Sequence, residues 1–248
     1  MLKKLIVTVS IGLLCCIAAP LLAEEAPVSL WTSNDTLLVL GGLAGVAAFS
    51  LYDEESNSRF RENQSVTANH FAEGFNLLGE PLVGLGIGGA IWGYGAWRQN
   101  PGLALEGLEA VESVMLAEMA TLLLKYSVGR ERPGVSEQSD AFSPFSFDSG
   151  HDSLPSGHTA AAFALASVLS HHTTQPLAPW GYYGLAGLVG VSRVYQGDHW
   201  ASDVALGALI GEVSSRLVIR LHQRDGRGFF ALRPWIGEGF GLQWAAIY

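Results

Sequence analysis

The chain has 248 residues and a formal net charge of −9, with 14 lysines and arginines against 23 aspartates and glutamates. An acidic balance of this size argues against nucleic acid as a partner, so any bound anion must be held by a few locally placed cations. Hydrophobic residues make up 49% of the chain, and a chain of this length can bury the core of one full domain.

The first 23 residues have the pattern of a secretory signal peptide. Lys3 and Lys4 precede an apolar run that ends at Leu22, and Ala23 is followed by two glutamates. We therefore expect residues 1–23 to be a signal peptide and the rest to be exported, to the periplasm or the periplasmic face of a bacterial inner membrane. An uncleaved membrane anchor is the alternative. Both cysteines lie in this segment, so no disulfide or thiolate metal site is expected after it.

Residues 24–80 follow as an N-terminal segment with one apolar and one polar stretch. The apolar stretch Leu37–Tyr52 predicts a helix, whereas the polar stretch Asp53–Asn69 predicts a surface loop or helix. His70 has no partner that the sequence identifies, and we assign it to the surface.

Residues 81–222 contain a series of apolar stretches of helical length, and we expect them to form the main domain. The stretches are Leu82–Trp97, Leu103–Tyr126, Thr159–Leu169, Trp180–Val191 and Val204–Ile219. In the first of them, Gly84 with Gly88 and Gly89 with Gly93 predict two faces on which helices pack closely. Because strand patterns are scarce, the predicted fold class is all-α, a helical bundle.

Residues 223–248 form a C-terminal extension with a different pattern. Two short runs, Phe229–Ile236 and Leu242–Ile247, are separated by the glycine-rich sequence GEGFG. This arrangement predicts a short β-hairpin after the helical bundle.

The apolar stretches raise the question of a membrane. The stretches at 37–52 and 82–97 are shorter than the ~20 residues usually needed to cross a bilayer. The stretch at 103–126 carries four charges that are costly in lipid. These are Glu106, Glu109, Glu112 and Glu118. We therefore expect an exported domain that is either soluble or in contact with the membrane, and partial insertion into the membrane stays open.

Three clusters of polar residues interrupt the apolar pattern. They are KYSVGRERP at 125–133, PSGH at 155–158 and SRVYQGDHWASD at 192–203. The first two are separated by a long loop at 133–154 that is rich in serine, proline and phenylalanine. Long loops inside a compact domain are often functional.

The residue types in these clusters suit phosphoryl transfer, which needs positive groups around the phosphate oxygens. Lys125, Arg132 and Arg193 supply three cations. Ser156 and the backbone N–H of Gly157, at the expected start of a helix, can donate to the remaining oxygens. The clusters therefore predict a phosphate-binding site.

Two histidines and an aspartate complete the candidate chemistry. His199 and Asp203 are four residues apart, so in a helix both lie on one face, and the carboxylate can hold one ring nitrogen protonated while the other attacks. His158 ends the PSGH sequence and is a candidate acid for the leaving oxygen.

In motif notation the clusters are KX6RP, PSGH and SRX5HX3D. In this order they resemble the signature of the type-2 phosphatidic acid phosphatase and vanadium haloperoxidase superfamily, over roughly residues 82–219. The resemblance implies a helical bundle with the three clusters converging at one end. It also implies that His199 is the nucleophile that becomes phosphohistidine and that Asp203 orients it. His158 would protonate the leaving group and then activate water, and no metal would be required.

The expected function is a metal-independent phosphatase of the cell envelope, with no cofactor, acting on a phosphomonoester or on a lipid phosphate or pyrophosphate. We also expect membrane contact and no nucleic-acid partner. One alternative is a vanadium-dependent haloperoxidase, which holds vanadate where phosphate would sit. Another is a non-catalytic module that binds phosphate or lipid, although the presence of His158, His199 and Asp203 argues against it. Lipid and soluble substrates both remain open at this point.

The remaining charged residues near the motifs receive simpler assignments. Arg130, beside the matched arginine, is assigned to the periphery of the site, and the pair His171 and His172 to the surface. His151 and Asp152 either line the entrance or are ordinary loop residues.

Overall fold

The structure is a computed structural model that describes residues 28–146, 150–225, 232–236 and 240–244, the last two ranges through their backbone. Its helices are α1 (Ser33–Ser50), α2 (Asp53–Glu62), α3 (Val66–Gly79), α4 (Pro81–Trp97), α5 (Pro101–Val128), α6 (Gly157–His172), α7 (Ala178–Tyr195) and α8 (Ala201–Asp225). They are followed by β1 (Leu232–Ile236) and β2 (Phe240–Trp244). The predicted all-α bundle is confirmed. The predicted signal peptide lies outside the described residues.

The C-terminal hairpin is present, with different boundaries from those predicted. The two strands are antiparallel, and the pairing runs from Leu232 opposite Trp244 to Ile236 opposite Phe240. The second strand therefore begins at Phe240 instead of Leu242, because the last two residues of GEGFG pair with β1. Residues 229–231 and 245–247 of the predicted strands lie outside the described residues.

Local sequence explains where the helices begin and end. The polar stretch after Tyr52 forms two helices, and the side chain of Ser65 accepts a hydrogen bond from the N–H of Ala68 to start the second. Asn100 caps α5 in the same way. Gly129 ends α5 with a left-handed φ of 60°, and a Cβ there would lie 1.9 Å from the carbonyl oxygen of Ser143. This turn directs the following arginine-rich segment away from the helix.

The core is built around α5, which packs against α4, α6 and α8. Small side chains let these helices approach closely. A Cβ at Gly107 would lie 2.1 Å from the backbone of Trp92, and one at Gly207 would lie 2.4 Å from the carbonyl oxygen of Ser156. The expected packing face of Gly84 and Gly88 does contact α5. The prediction of a second packing face was wrong, because a Cβ at Gly89 or at Gly93 would meet open space.

Two of the four glutamates of α5 are buried in the bundle. Glu109 and Glu112 are both buried, and their carboxylates lie 2.6 Å from Nε2 of His172 and 3.1 Å from Nε2 of His222. The assignment of His172 to the surface was therefore wrong, since α5 and α6 pack together there. Glu109 and Glu112 therefore place no charge on the outer face of α5.

The outer face of α5 is apolar instead. Its exposed large hydrophobic residues are Met115, Met119, Leu122, Leu123 and Tyr126. The outer surface of α7 is similar, with Trp180, Leu185, Leu188 and Val191 exposed, and Leu177 is exposed just before the helix. Exposed apolar patches that extend over several helices mark surfaces that interact with another apolar phase or partner.

No single helix among the described residues is both long enough and apolar enough to cross a membrane. Two bent helix pairs pass the same test of length and composition: α1 with α2, bent by 58°, and α3 with α4, bent by 54°.

Candidate active site

The three sequence clusters converge at one end of the bundle. The first cluster lies on the last turn of α5 and the segment after Gly129. The second lies at the first turn of α6, and the third runs from the last turn of α7 to the start of α8. The positive charges of Lys125, Arg132 and Arg193 all act on His199, and the backbone N–H of Ser156 donates to the carbonyl oxygen of Asp203 at 3.0 Å. Every predicted site residue therefore lies at this end.

His199 is buried, with 2% of its surface exposed. Its Nδ1 lies 2.6 Å from the backbone carbonyl oxygen of Ser153, and because a carbonyl only accepts, Nδ1 carries the proton. Burial and the three neighbouring cations hold the pKa of His199 well below its usual value. The ring is therefore neutral, and its Nε2 has the lone pair that a nucleophile needs.

Asp203 does not hold His199 directly, contrary to the expectation from the spacing. The distance from its Oδ2 to Nδ1 of His199 is 3.9 Å. The physical reason is that α8 begins at Ala201, so His199 precedes the helix and the two residues do not share a helical face. Instead Oδ2 accepts from the hydroxyl of Ser153 at 2.5 Å and from the N–H of Trp200 at 2.9 Å.

Ser153 therefore connects the carboxylate to the histidine. Its hydroxyl is bound to Asp203, while its carbonyl oxygen accepts from His199. Sequence reasoning missed Ser153, because a serine in a loop two residues before a proline gives no signal of such a role.

Arg130 is buried at the centre of the site, so its assignment to the periphery was wrong. Its guanidinium donates to Asp203 at 2.5 Å and to Asp53 at 2.8 Å, and its Nη1 also donates to the hydroxyl of Ser202. Breaking such a buried pair leaves an uncompensated charge. Arg130 therefore ties the N-terminal segment to the start of α8, and Asp53 lies 77 residues away in sequence.

The three predicted phosphate-binding cations are each close to a carboxylate. Arg132 donates from Nε and Nη2 to the two oxygens of Asp152, both at 2.7 Å. Lys125 donates to the backbone carbonyl of the same aspartate, and burial lowers the pKa of Lys125 to about 8. Arg193 pairs with Asp198 at 2.9 Å.

The PSGH sequence forms the start of α6 as predicted. Ser156 is the N-cap residue and is fully buried, and its hydroxyl accepts from the hydroxyl of Thr159 at 2.9 Å. The first N–H groups of a helix have no partner within it and carry a partial positive charge, so they favour an anion. A Cβ at Gly157 would lie 3.2 Å from the carboxylate of Glu118.

His158 contacts a residue outside the predicted motifs. Its Nε2 lies 3.1 Å from a carboxylate oxygen of Glu80, at the start of α4. Burial and the charge of Arg193 lower the pKa of His158, while Glu80 opposes that shift. His158 is thus partly buried between a cation and a carboxylate, which is a setting in which a histidine can exchange a proton.

Residues from the N-terminal segment complete the site, and sequence reasoning missed them. Asp53 binds Arg130, Asn76 accepts a hydrogen bond from Arg193, and Glu80 contacts His158. None of them belongs to a recognisable motif, so only the packing of α2 and α3 onto the bundle identifies them. Among the described residues, no group of three or more histidines, cysteines or acidic residues is arranged to hold a metal ion.

Comparison with known sequences gives a family match that includes all the motif residues. The model of the PAP2 superfamily matches residues 106–227. A lipid A 1-phosphatase of Porphyromonas gingivalis is 40% identical over 111 residues, which cover 42% of this chain and 22% of that protein. The chain thus matches only a minor part of the length of this curated relative.

Two solved structures share the fold. LpxE of Aquifex aeolicus is 25% identical, with a TM-score of 0.51, and the match covers 67% of this chain and 93% of that one. The transmembrane PAP2-type phosphatidylglycerolphosphate phosphatase of Bacillus subtilis is 23% identical, with a TM-score of 0.58, over 80% of this chain and 100% of that one. The likeness therefore extends beyond the motif-bearing helices into the N-terminal segment.

Proposed function

Because this chain belongs to the PAP2 superfamily, we propose that it is a phosphatase whose substrate is a lipid phosphate or lipid pyrophosphate. The observation that carries the proposal is a neutral, buried His199 surrounded by Lys125, Arg132 and Arg193. A neutral imidazole is a nucleophile, and three cations are what the phosphate oxygens of a phosphoryl-transfer reaction require.

In the proposed reaction, Nε2 of His199 attacks phosphorus while the bond to the leaving oxygen breaks. The cations and the N-terminal N–H groups of α6 hold the phosphate oxygens. His158 gives its proton to the leaving oxygen and becomes neutral. It then takes a proton from a water molecule, the resulting hydroxide attacks the phosphohistidine, and inorganic phosphate leaves with both protein groups restored.

The orientation of His199 follows from the contacts of its other nitrogen. Nδ1–H donates to the carbonyl oxygen of Ser153, whose hydroxyl is bound by Asp203. As the phosphohistidine forms, positive charge develops on the ring, and the carboxylate 3.9 Å away stabilises it. Asp203 is therefore proposed as a positioning and electrostatic group. The mechanism needs no metal, because the cations are supplied by side chains.

A lipid substrate is supported by the surface of the bundle. The outer faces of α5 and α7 expose large apolar side chains, including Leu122, Leu123 and Trp180. The relative from P. gingivalis is named for a lipid phosphate. We propose that these faces contact a membrane and present the site to lipid headgroups, and that the site lies on the outer side of the inner membrane.

The function is tested with purified protein and a substrate panel in excess chelator. The panel holds a chromogenic phosphomonoester, phosphatidic acid in mixed micelles, an isoprenyl pyrophosphate and lipid A, with released phosphate as the readout. We expect turnover of at least one lipid substrate, inhibition by vanadate and no loss in chelator. His199→Gln protein, purified in the same way, controls for contaminating phosphatases. No phosphate release from any substrate, or halide oxidation in the presence of vanadate and peroxide, would contradict the proposal.

The side of the membrane is tested separately, by protease treatment of spheroplasts of a producing bacterium. Protease should cleave the loop at 133–154 without disruption of the inner membrane. Cleavage only after the membrane is broken would assign the site to the cytoplasm.

A further inference from the structure

Asp152 makes the contacts that the proposed function assigns to phosphate. Its two carboxylate oxygens accept from Nε and Nη2 of Arg132 in a bidentate arrangement, both at 2.7 Å. Its Oδ2 also lies 4.0 Å from Nζ of Lys125, which donates to the backbone carbonyl of the same residue. A guanidinium offers this paired geometry equally to a carboxylate and to a phosphate. Asp152 and a phosphate therefore need the same N–H groups.

We propose that Asp152 is an internal competitor for phosphate, which weakens the binding of the inorganic phosphate product and so promotes its release. This inference rests on the proposed function, because it takes Lys125 and Arg132 as phosphate ligands. When phosphate binds, the carboxylate of Asp152 has to release one or both of the N–H donors of Arg132. When phosphate leaves, the carboxylate takes those donors back.

Burial separates Asp152 from the carboxylates that have a fixed structural role. The side chain of Asp152 is 46% exposed, whereas those of Asp53 and Asp203 are 0% exposed and are tied to Arg130. A half-exposed carboxylate can turn into water at little cost, because water replaces its hydrogen bonds. A fully buried one cannot, because its charge would lose its partner without gaining solvent.

The surrounding chain leaves Asp152 in a position to move. It lies outside any helix or strand, between Gly150 and the cap residue Ser156. Arg132 has a second acidic neighbour, since its Nη1 lies 3.6 Å from Asp198. The guanidinium is therefore held from another side while Asp152 exchanges with phosphate, and its orientation does not depend on Asp152 alone.

The test is the dissociation constant of inorganic phosphate, measured by titration calorimetry on the full chain. Asp152→Asn keeps the size of the side chain and removes its charge, and Asp152→Ala serves if the first variant folds poorly. We expect phosphate to bind about fivefold more tightly to either variant, which is the effect of removing one half-exposed competing carboxylate. Phosphate should also become a correspondingly stronger inhibitor of turnover. Asp140→Asn removes the same charge from an exposed position in the same loop and should change binding less than twofold.

Two results would overturn the inference. Unchanged or weaker phosphate binding in both Asp152 variants would mean that Asp152 positions Arg132 and does not compete with the anion. Arg132→Ala and Lys125→Ala distinguish this failure from failure of the proposed function. If they weaken phosphate binding while the Asp152 variants do not strengthen it, only the competition is wrong. If they leave binding unchanged, phosphate does not bind here and the proposed function fails with it.

Discussion

Histidine–carboxylate pairs of opposite character lie near the two ends of α5. In its first half, Glu109 and Glu112 contact His172 and His222 directly, at 2.6 and 3.1 Å. At the other end, about 24 Å further along the helix, His199 is separated from Asp203 by 3.9 Å and lies among cations. The hydrogen bond to Glu109 raises the pKa of His172, whereas burial and neighbouring cations lower that of His199.

This contrast shows how one residue type serves two purposes in a single bundle. His172, bound directly to the buried carboxylate of Glu109, has a raised pKa and forms one half of a structural ion pair. A histidine that donates to a carbonyl, with cations around it, stays neutral and keeps a reactive lone pair. Direct contact with a buried carboxylate therefore accompanies the structural role of His172, and its absence marks the candidate nucleophile.

The strongest test of the comparison replaces one histidine at each end with glutamine. His199→Gln should lower turnover by about 10⁴–10⁶-fold, because no other group in the mechanism can attack phosphorus. It should also abolish trapping of a phosphoenzyme. His172→Gln keeps a donor for Glu109 and should leave turnover within about threefold. Equal losses of turnover in the two folded variants would contradict the assignment of a catalytic role to His199 and a structural role to His172.

A second test concerns the indirect link between Asp203 and His199. Asp203→Asn should lower turnover by about 10²–10⁴-fold, by analogy with loss of the orienting carboxylate from a catalytic triad. Ser153→Ala removes only one contact of that carboxylate, so we expect a smaller loss of about tenfold. Because both residues act through the same series of hydrogen bonds to His199, the double variant should have a turnover little lower than that of Asp203→Asn. Independent, additive losses would show that Asp203 acts by another route.

The pH dependence of kcat/KM tests whether the positive charge of Lys125 is needed for phosphate binding. Burial lowers the pKa of Lys125 to about 8, so its positive charge is lost as the pH rises through that value. We expect kcat/KM to fall about tenfold per pH unit above it, because a neutral amine no longer holds the phosphate. Lys125→Arg should move this decline to higher pH, since a guanidinium stays charged. An unchanged decline in Lys125→Arg would assign it to another group.

The smallest expected effect is a pH-dependent change in stability at the far end. The raised pKa of His172 means that its pairing with Glu109 stabilises the protein below the unfolded-state value of about 6.5. This contribution is lost as the pH rises through the folded-state value. Glu109→Gln should therefore lower the free energy of unfolding by ~1–2 kcal/mol near pH 6 and by less near pH 9.

Denaturant unfolding at the two pH values measures this difference. Glu55→Gln breaks an exposed i,i+4 pair with Arg59 and is the control, with an expected change below ~0.5 kcal/mol at either pH. A cost of Glu109→Gln that grows with pH would show that His172 is not charged in the folded protein.

The comparison also shows why part of the site was predictable and part was not. Lys125, Arg132 and the PSGH turn are recognisable because each belongs to a short local pattern. Arg130 belongs to the same pattern as Arg132, yet its role depends on Asp53 and Asp203, which lie 77 and 73 residues away. The pairing of Glu109 and Glu112 was not predictable for the same reason, since His172 and His222 reach these glutamates from other helices.

The sequence by itself determined the helical class, the approximate extent of the six helices with apolar stretches, and the motif residues that lie at one end of the bundle. These properties depend on apolar periodicity, capping residues and motif spacing, which act within a few residues of one another. Only the tertiary structure decided which histidine is neutral and which carboxylate is fixed. It also decided that Ser153 links Asp203 to His199. Charge states depend on burial and on partners from distant segments, and neither is set until the helices pack.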